Sequence, residues 1–270
     1  RDAQESRGLG DVYKRQLLNL FFGPAVNAAR GIAVQVQGAV TQFSTNFQTA
    51  INPQITKSYA VGDYAYMHSL IFHSSKFTFL LLATISFPVL LETEMILQLW
   101  LETVPNYTAV FVRLMLCTTI IDAMAGAFMV SAQATGAVRV YQSVVGGILL
   151  TIVPVSYIVL KMGAEPWSVF IVHLCVCILA FAVRLFILCR MIHLSLSGYF
   201  TKVLLRCMGV LIIALPLPLI LLYFLSDTFI NSIMVCLSGL LAMLFSSYVI
   251  GLVSNERKFI KDKILLFLKL

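Results

Sequence analysis

The sequence predicts an all-α integral membrane protein of about seven transmembrane helices, and three observations predict it. Of 270 residues, 60% are hydrophobic and only 11% are charged, against about 45–50% apolar and about 25% charged in an average soluble domain. Mean hydropathy is +0.92. The apolar runs are continuous for about 20 residues at a time, the length a helix needs to cross the hydrocarbon, and they lack the two-residue alternation of a membrane β-barrel. Spans packed this closely leave no room for a soluble catalytic domain.

Residues 1–16, RDAQESRGLGDVYKRQ, are polar and stop where LLNLFFG takes on a membrane-like composition. They have no apolar centre of a signal peptide and no transit-peptide character; they resemble translated sequencing-adapter read-through and are expected to be non-native. Without them 15 basic and 9 acidic residues remain, and the net charge falls from +7 to +6. Residues 17–24 read as the end of an earlier helix closed by Gly23-Pro24, with an N-terminal part missing before it.

Charge, Pro and Gly then bound spans at 25–50, 72–91, 108–132, 140–160, 167–189, 203–225 and 229–252. Alternation puts twelve basic residues on one side, from Lys57 and Lys76 through Arg139, Arg184, Arg190, Lys202 and Arg206 to the five between Arg257 and Lys269. The other side holds Glu92, Glu94, Glu102, Glu165 and Asp227 with Lys161. The positive-inside rule therefore places the first side, and the C-terminus, in the cytoplasm. Trp100, Tyr107 and Trp167 fall at outer span ends, where amphipathic rings prefer the headgroup level. The tail from Ser254 to Leu270 mixes Lys258, Lys261 and Lys263 with apolar residues at helical spacing. It is expected either to lie along the inner leaflet or to end as a solvated segment.

The first span is too polar to be surrounded by hydrocarbon. At 100° per residue Arg30, Gln37, Thr41, Ser44 and Gln48 fall within about 40° of one line along the helix. Such a stripe fits the wall of a hydrated cavity; the alternative is burial by neighbours whose amides bond across helices, let close by Ala28, Ala29, Gly31 and Ala33.

Charges inside a bilayer are costly, and here they are Arg30, Arg113 and Asp122, with Arg184 near a cytoplasmic end. Arg113 lies about 9 Å inside its outer helix end, so both a cavity role and snorkelling to the headgroups stand. Asp122 is nearest mid-membrane and needs a partner, a proton or a cavity; a structural cap and a proton or cation site both fit. It shares a face with Thr118, Gly126 and Gln133 and points away from Arg113. Arg184 reads most simply as a snorkelling inner-leaflet anchor.

Chemical motifs are absent. There is no P-loop, no Rossmann fingerprint, and no His or Cys spacing for a metal, so no cofactor or metal is expected. The six cysteines sit in apolar runs and read as small core hydrophobes. Pro88, Pro154, Pro216 and Pro218 are expected to kink or break spans.

The run NAARGIAVQVQGAVTQFSTNFQTAINPQITKSYAVGD, from Asn27 to Asp63, resembles the second half of a Wzx-type polysaccharide flippase of the MATE-like multidrug/oligosaccharidyl-lipid/polysaccharide superfamily. Within it Pro53, Ala60, Gly62 and Asp63 resemble a proline followed by an A-x-G-D turn. Leu99, Trp100, Leu101, Pro105 and Tyr107 resemble the outer connection. Thr135, Gly136, Arg139, Tyr141 and Gln142 resemble an inner T-G-x-x-R-x-Y-Q. Pro154, Ser156, Tyr157, Gly163 and Pro166 resemble a P-x-S-Y stretch with its following G-x-x-P, so the likeness covers about residues 19–190.

The resemblance implies two six-helix bundles around a cavity that opens alternately to either side. Only the second is represented here: residues 25–190 as the C-terminal bundle of about five helices, residues 191–253 as an additional pair, and an N-terminal bundle of the same protein as partner. It further implies an inner membrane location in bacteria and an undecaprenyl-diphosphate-linked oligosaccharide as substrate, for surface polysaccharide or lipopolysaccharide biosynthesis. On that reading Arg30 and Arg113 neutralise the diphosphate, Gln37, Thr41, Ser44 and Gln48 bond sugar hydroxyls, and Asp122 couples to a proton or sodium ion. No enzymatic activity and no nucleic-acid partner are expected. A multidrug or cation antiporter of the same superfamily is the alternative, though two deep arginines favour an anionic cargo. A membrane-embedded glycan-processing enzyme ranks lower, because the longest outer connection, Glu92 to Tyr107, is too short for a catalytic loop.

Overall fold

Polypeptide breaks, more than helix lengths, organise this chain. The computed structural model describes residues 2–225, 228–253 and 256–258, with side chains from residue 12 onward. Asp227 and all but three residues of the expected tail 254–270 lie outside the described residues.

Helix α1 (Asp2–Phe22) ends at Gly23, and Pro24 opens α2 (Pro24–Val61) at its first position, where a missing N–H is no loss. The backbone of α1 runs without interruption through residues 16 and 17. Helix α2 has 38 residues, about 57 Å at 1.5 Å per residue. It continues well past residue 50, where the apolar pattern ends, because buried Ile55 and Ser58 hold the turns after Pro53 against the bundle. Gly62 then closes it in the left-handed region at φ 80°, with its N–H on the Tyr59 carbonyl. Asp63 accepts the Tyr66 amide at 3.0 Å and opens α3 (Tyr64–Leu91). The A-x-G-D turn is thus a helix stop followed at once by a helix start.

After the short α4 (Thr93–Trp100), the next span is split into α5 (Thr108–Met124) and α6 (Gly126–Ala134) by a turn at Ala125. Another is split into α7 (Val138–Leu150) and α8 (Ile152–Lys161) at Thr151, because Pro154 has no N–H for the Leu150 carbonyl. Helix α9 (Ser168–Ile192) is unbroken. The last pair begins with α10 (Leu196–Tyr199) and a π-helical turn (Phe200–Leu204), followed by α11 (Leu205–Ala214) and α12 (Pro216–Phe224). Pro216 and Pro218 account for the break at Leu215. It closes with α13 (Phe229–Ser246) and a second π-helical turn (Ser247–Gly251).

Among the described residues six helices, counting the broken ones as units, are long and apolar enough to cross a membrane, and α2 adds a long helix of more polar composition. No strand occurs among the described residues. The protein is an all-α membrane protein of about seven helices, with the bulk of its apolar surface turned outward. Leu179, Ile212, Leu241 and Phe245 on that surface are all at least half exposed, as side chains in contact with lipid must be.

Helix α2 packs against α3, α5 and α6; α9 packs against α5, α7 and α8; α1 lies beside α2, α7 and α8. The Phe111 and Phe170 rings meet at 4.4 Å between α5 and α9. Phe72, Phe128, Phe181 and Tyr199 form one aromatic cluster joining α3, α6, α9 and α10, with centroids 5.4 to 6.3 Å apart. Helix α13 docks on α3, α11 and α12 and so attaches the last pair to the bundle.

Candidate substrate cavity

The polar stripe read from α2 faces inward. Gln37, Thr41, Ser44 and Gln48 line one cavity of about 390 Å³, and its other walls come from α5, α6, α7, α8 and α9 and from Lys14 of α1. The Thr41 and Ser44 hydroxyls donate back to the carbonyls of Gln37 and Thr41 at 2.8 and 2.9 Å, which satisfies their protons and leaves oxygen lone pairs as acceptors.

The amides reach across instead. Gln37 Nε2 donates to Thr119 Oγ1 at 2.8 Å, and Gln48 Nε2 donates to the Ala123 carbonyl at 2.7 Å, beside the break between α5 and α6. On α3, Ser75 donates to the Met124 carbonyl at 2.7 Å. The break is therefore held from two sides by side chains. Gly126 leaves the room that the Gln48 amide takes up, since a Cβ at that position would displace it. Replacing Gln37 with leucine is expected to weaken α2–α5 packing by about 0.5–1.5 kcal/mol. A double-mutant cycle with Thr119→Val, read by unfolding in micelles, should show that the two losses are not additive.

Asp122 and Arg184 meet in this cavity. Arg184 Nη1 donates to Asp122 Oδ1 at 2.8 Å, with the two side chains 9% and 25% exposed. Thr118, Gly126 and Gln133, on the Asp122 face, also line the space. Arg184 is not a snorkelling anchor: its guanidinium turns inward from α9 to a carboxylate 62 residues earlier in the chain. Only such a partner makes a buried guanidinium tolerable. Arg184 Nε is buried with no hydrogen-bond partner, and Asn52 Oδ1, on the same wall, is in the same state.

Arg30 and Arg113 are not part of this wall. Arg113 lies in the N-terminal part of α5, where Nε donates to Thr93 Oγ1 at 3.0 Å and Nη2 lies 3.7 Å from Glu94 Oε1. Of the two readings of Arg113, the cavity role is the one this placement does not support. The cavity gains residues that spacing alone did not single out, chiefly Tyr141 and Gln142 of α7, His173 of α9 and Arg184. Tyr141 and Gln142 had a signal in the T-G-x-x-R-x-Y-Q pattern, and Arg184 had one in the need of Asp122 for a cation.

Comparison of the chain with protein-family models, with curated proteins and with solved structures gives no match in any of the three.

Proposed function

We propose that this chain is one helical bundle of a membrane flippase that carries a polyprenyl-diphosphate-linked oligosaccharide across a bacterial inner membrane by alternating access. The observation that carries this reading is the α2 stripe of amides and hydroxyls lining a cavity of about 390 Å³ together with the Asp122–Arg184 pair. Hydroxyl-rich cargo needs closely spaced donors and acceptors at membrane depth, and unsatisfied polar groups are otherwise excluded there. We assign the diphosphate contact to Arg184 in place of Arg30 and Arg113, because Arg184 lines the cavity and the other two do not. On this reading Gln37, Thr41, Ser44 and Gln48 keep the sugar-binding role, and Asp122 serves as the counter-charge that holds Arg184 in place of an ion-coupling group.

The opposite face of α2 supports a second bundle. Gln35, Gln42, Asn46 and Thr49 are exposed there, about 140° around the helix from the cavity stripe. A face this polar requires water or another protein surface across it. A cation exporter fits less well, because the cavity acid Asp122 is already engaged by a guanidinium.

The test is complementation of a bacterium that lacks its own flippase for the matching glycan, using the reading frame that contains this chain. Arg184→Lys keeps the charge but loses the forked donor, and with Gln37→Leu it is expected to lower surface polysaccharide at least about tenfold at equal protein level. Arg113→Ala, outside the cavity, should leave it unchanged. Full surface polysaccharide in the Arg184→Lys, Gln37→Leu variant would overturn the cavity assignment.

A further inference from the structure

A second charge cluster lies away from the cavity, where the chain leaving the last span returns to α3. Lys76 is 3% exposed. The Glu256 carboxylate sits between it and His73, with Oε2 2.6 Å from Lys76 Nζ and Oε1 2.9 Å from His73 Nε2. Oε2 also accepts the Val253 N–H at 2.7 Å, the backward bond of a capping box, so the same carboxylate shapes its own segment.

The imidazole identifies its own protonation state. His73 Nδ1 lies 2.6 Å from the Ser69 carbonyl oxygen, and Nε2 faces an ionised carboxylate. The Ser69 hydroxyl stands farther from Nδ1, at 3.2 Å; the nearer carbonyl and the carboxylate can only accept, so both ring nitrogens donate and the ring is an imidazolium. A neutral ring can satisfy one of the two. The His73 side chain is 43% exposed, so water and protons reach it. The other titratable groups facing the cluster are occupied in place. Lys202 stands over the Phe72 ring, Arg206 donates to the Ile250 carbonyl, and Arg257 donates to the Leu252 and Val249 carbonyls beside the Tyr248 ring. The Cys207 thiol faces Lys76, and the phenol of Tyr199 is buried near Ser75.

We propose that Leu252, Val253 and residues 256–258 dock on α3 through Glu256 as a strap, and that His73 is its proton switch: the imidazolium holds the strap and the neutral ring lets that contact go. Ser75, between the two cationic positions on α3, is the residue that holds the Met124 carbonyl at the α5–α6 break. The strap therefore presses on the same turn of α3 that supports the cavity wall.

The acid end of the range leaves the strap docked. Burial pushes the Glu256 carboxyl up, but hydrogen bonds from His73, Lys76 and the Val253 amide outweigh it and hold the group at about 2, below its ordinary 4.5. A depressed carboxyl contributes docking that is full above the ordinary value and is lost only as pH falls through about 2. Release near neutrality therefore belongs to His73, the side-chain type that titrates there.

Hydrogen–deuterium exchange of the full chain in lipid nanodiscs tests this, with rates corrected for intrinsic pH dependence. Protection over residues 249–258 is expected to fall on the order of tenfold between about pH 6 and about pH 9, the loss of one charge-assisted hydrogen bond. His73→Gln, which offers a non-titrating amide donor, should give equal protection at both pH values, and Glu256→Gln low protection at both. Protection of α13 in each sample reports that the bundle is folded, and His73→Asn replaces His73→Gln if it is not. Unchanged wild-type protection across this range, or the same fall in the non-titrating variant, overturns the proposal.

Discussion

Replacing Asp122 with leucine is expected to destabilise the bundle by about 3–5 kcal/mol, the range for breaking one side of a buried ion pair. The cost arises on the other helix. Arg184 is 7% exposed and its Nε already has no partner, so removing the carboxylate at 2.8 Å leaves a guanidinium desolvated and uncompensated. Adding Arg184→Met should recover most of the loss, because two apolar side chains of similar volume need neither hydration nor charge balance. Reversible unfolding in mixed micelles would measure both. If Asp122→Leu costs under about 1 kcal/mol, the pair is solvated and the cavity is wetter than its burial implies. The double variant also separates stability from activity: restored stability with lost transport is the outcome expected if the pair serves the cargo.

The second large effect is expected at Gly126. Gly126→Val should cost about 1–3 kcal/mol, as overpacking does, because the new side chain must occupy the space of the Gln48 amide. Displacing that amide also frees the Ala123 carbonyl it holds at 2.7 Å, at the point where α5 ends and α6 begins. A Gly126→Val, Gln48→Ala pair should recover the steric part but not the hydrogen bond. Equal stability of Gly126→Val and wild type would show that the break accommodates a different course.

The cavity stripe of α2 was legible from sequence because helical phase is local: Gln37, Thr41, Ser44 and Gln48 share a face whatever the surrounding fold. The same arithmetic put Thr118, Gly126 and Gln133 with Asp122, and all three line the cavity. Phase says nothing about which helix stands opposite. The Asp122–Arg184 contact spans 62 residues and depends on α5 packing against α9, so Arg184, near a helix end, looked like an anchor. Arg113 shows the converse: its depth along α5 was legible, but only tertiary structure places Thr93 and Glu94 within its reach. Lys76 counted as one more basic residue on the cytoplasmic side, and its burial became visible only once Glu256 was found to fold back onto it. The break at Ala125 carries no proline and follows from the two side chains that hold its carbonyls.

The composition of α2 bears on how the protein is made. A segment with amides and hydroxyls on two faces is not among the helices apolar enough to cross a membrane, and on an insertion scale such a segment does not enter the bilayer by its own free energy. Helix α3 follows after a tight turn at Gly62 and Asp63 and is apolar enough to cross. The two are therefore expected to enter the membrane as a hairpin, with α5 and α6, which pack on α2, covering its polar side chains. Translation arrested between α2 and α3 is expected to leave α2 outside the hydrocarbon, and resumed translation through α3 to bring both in together.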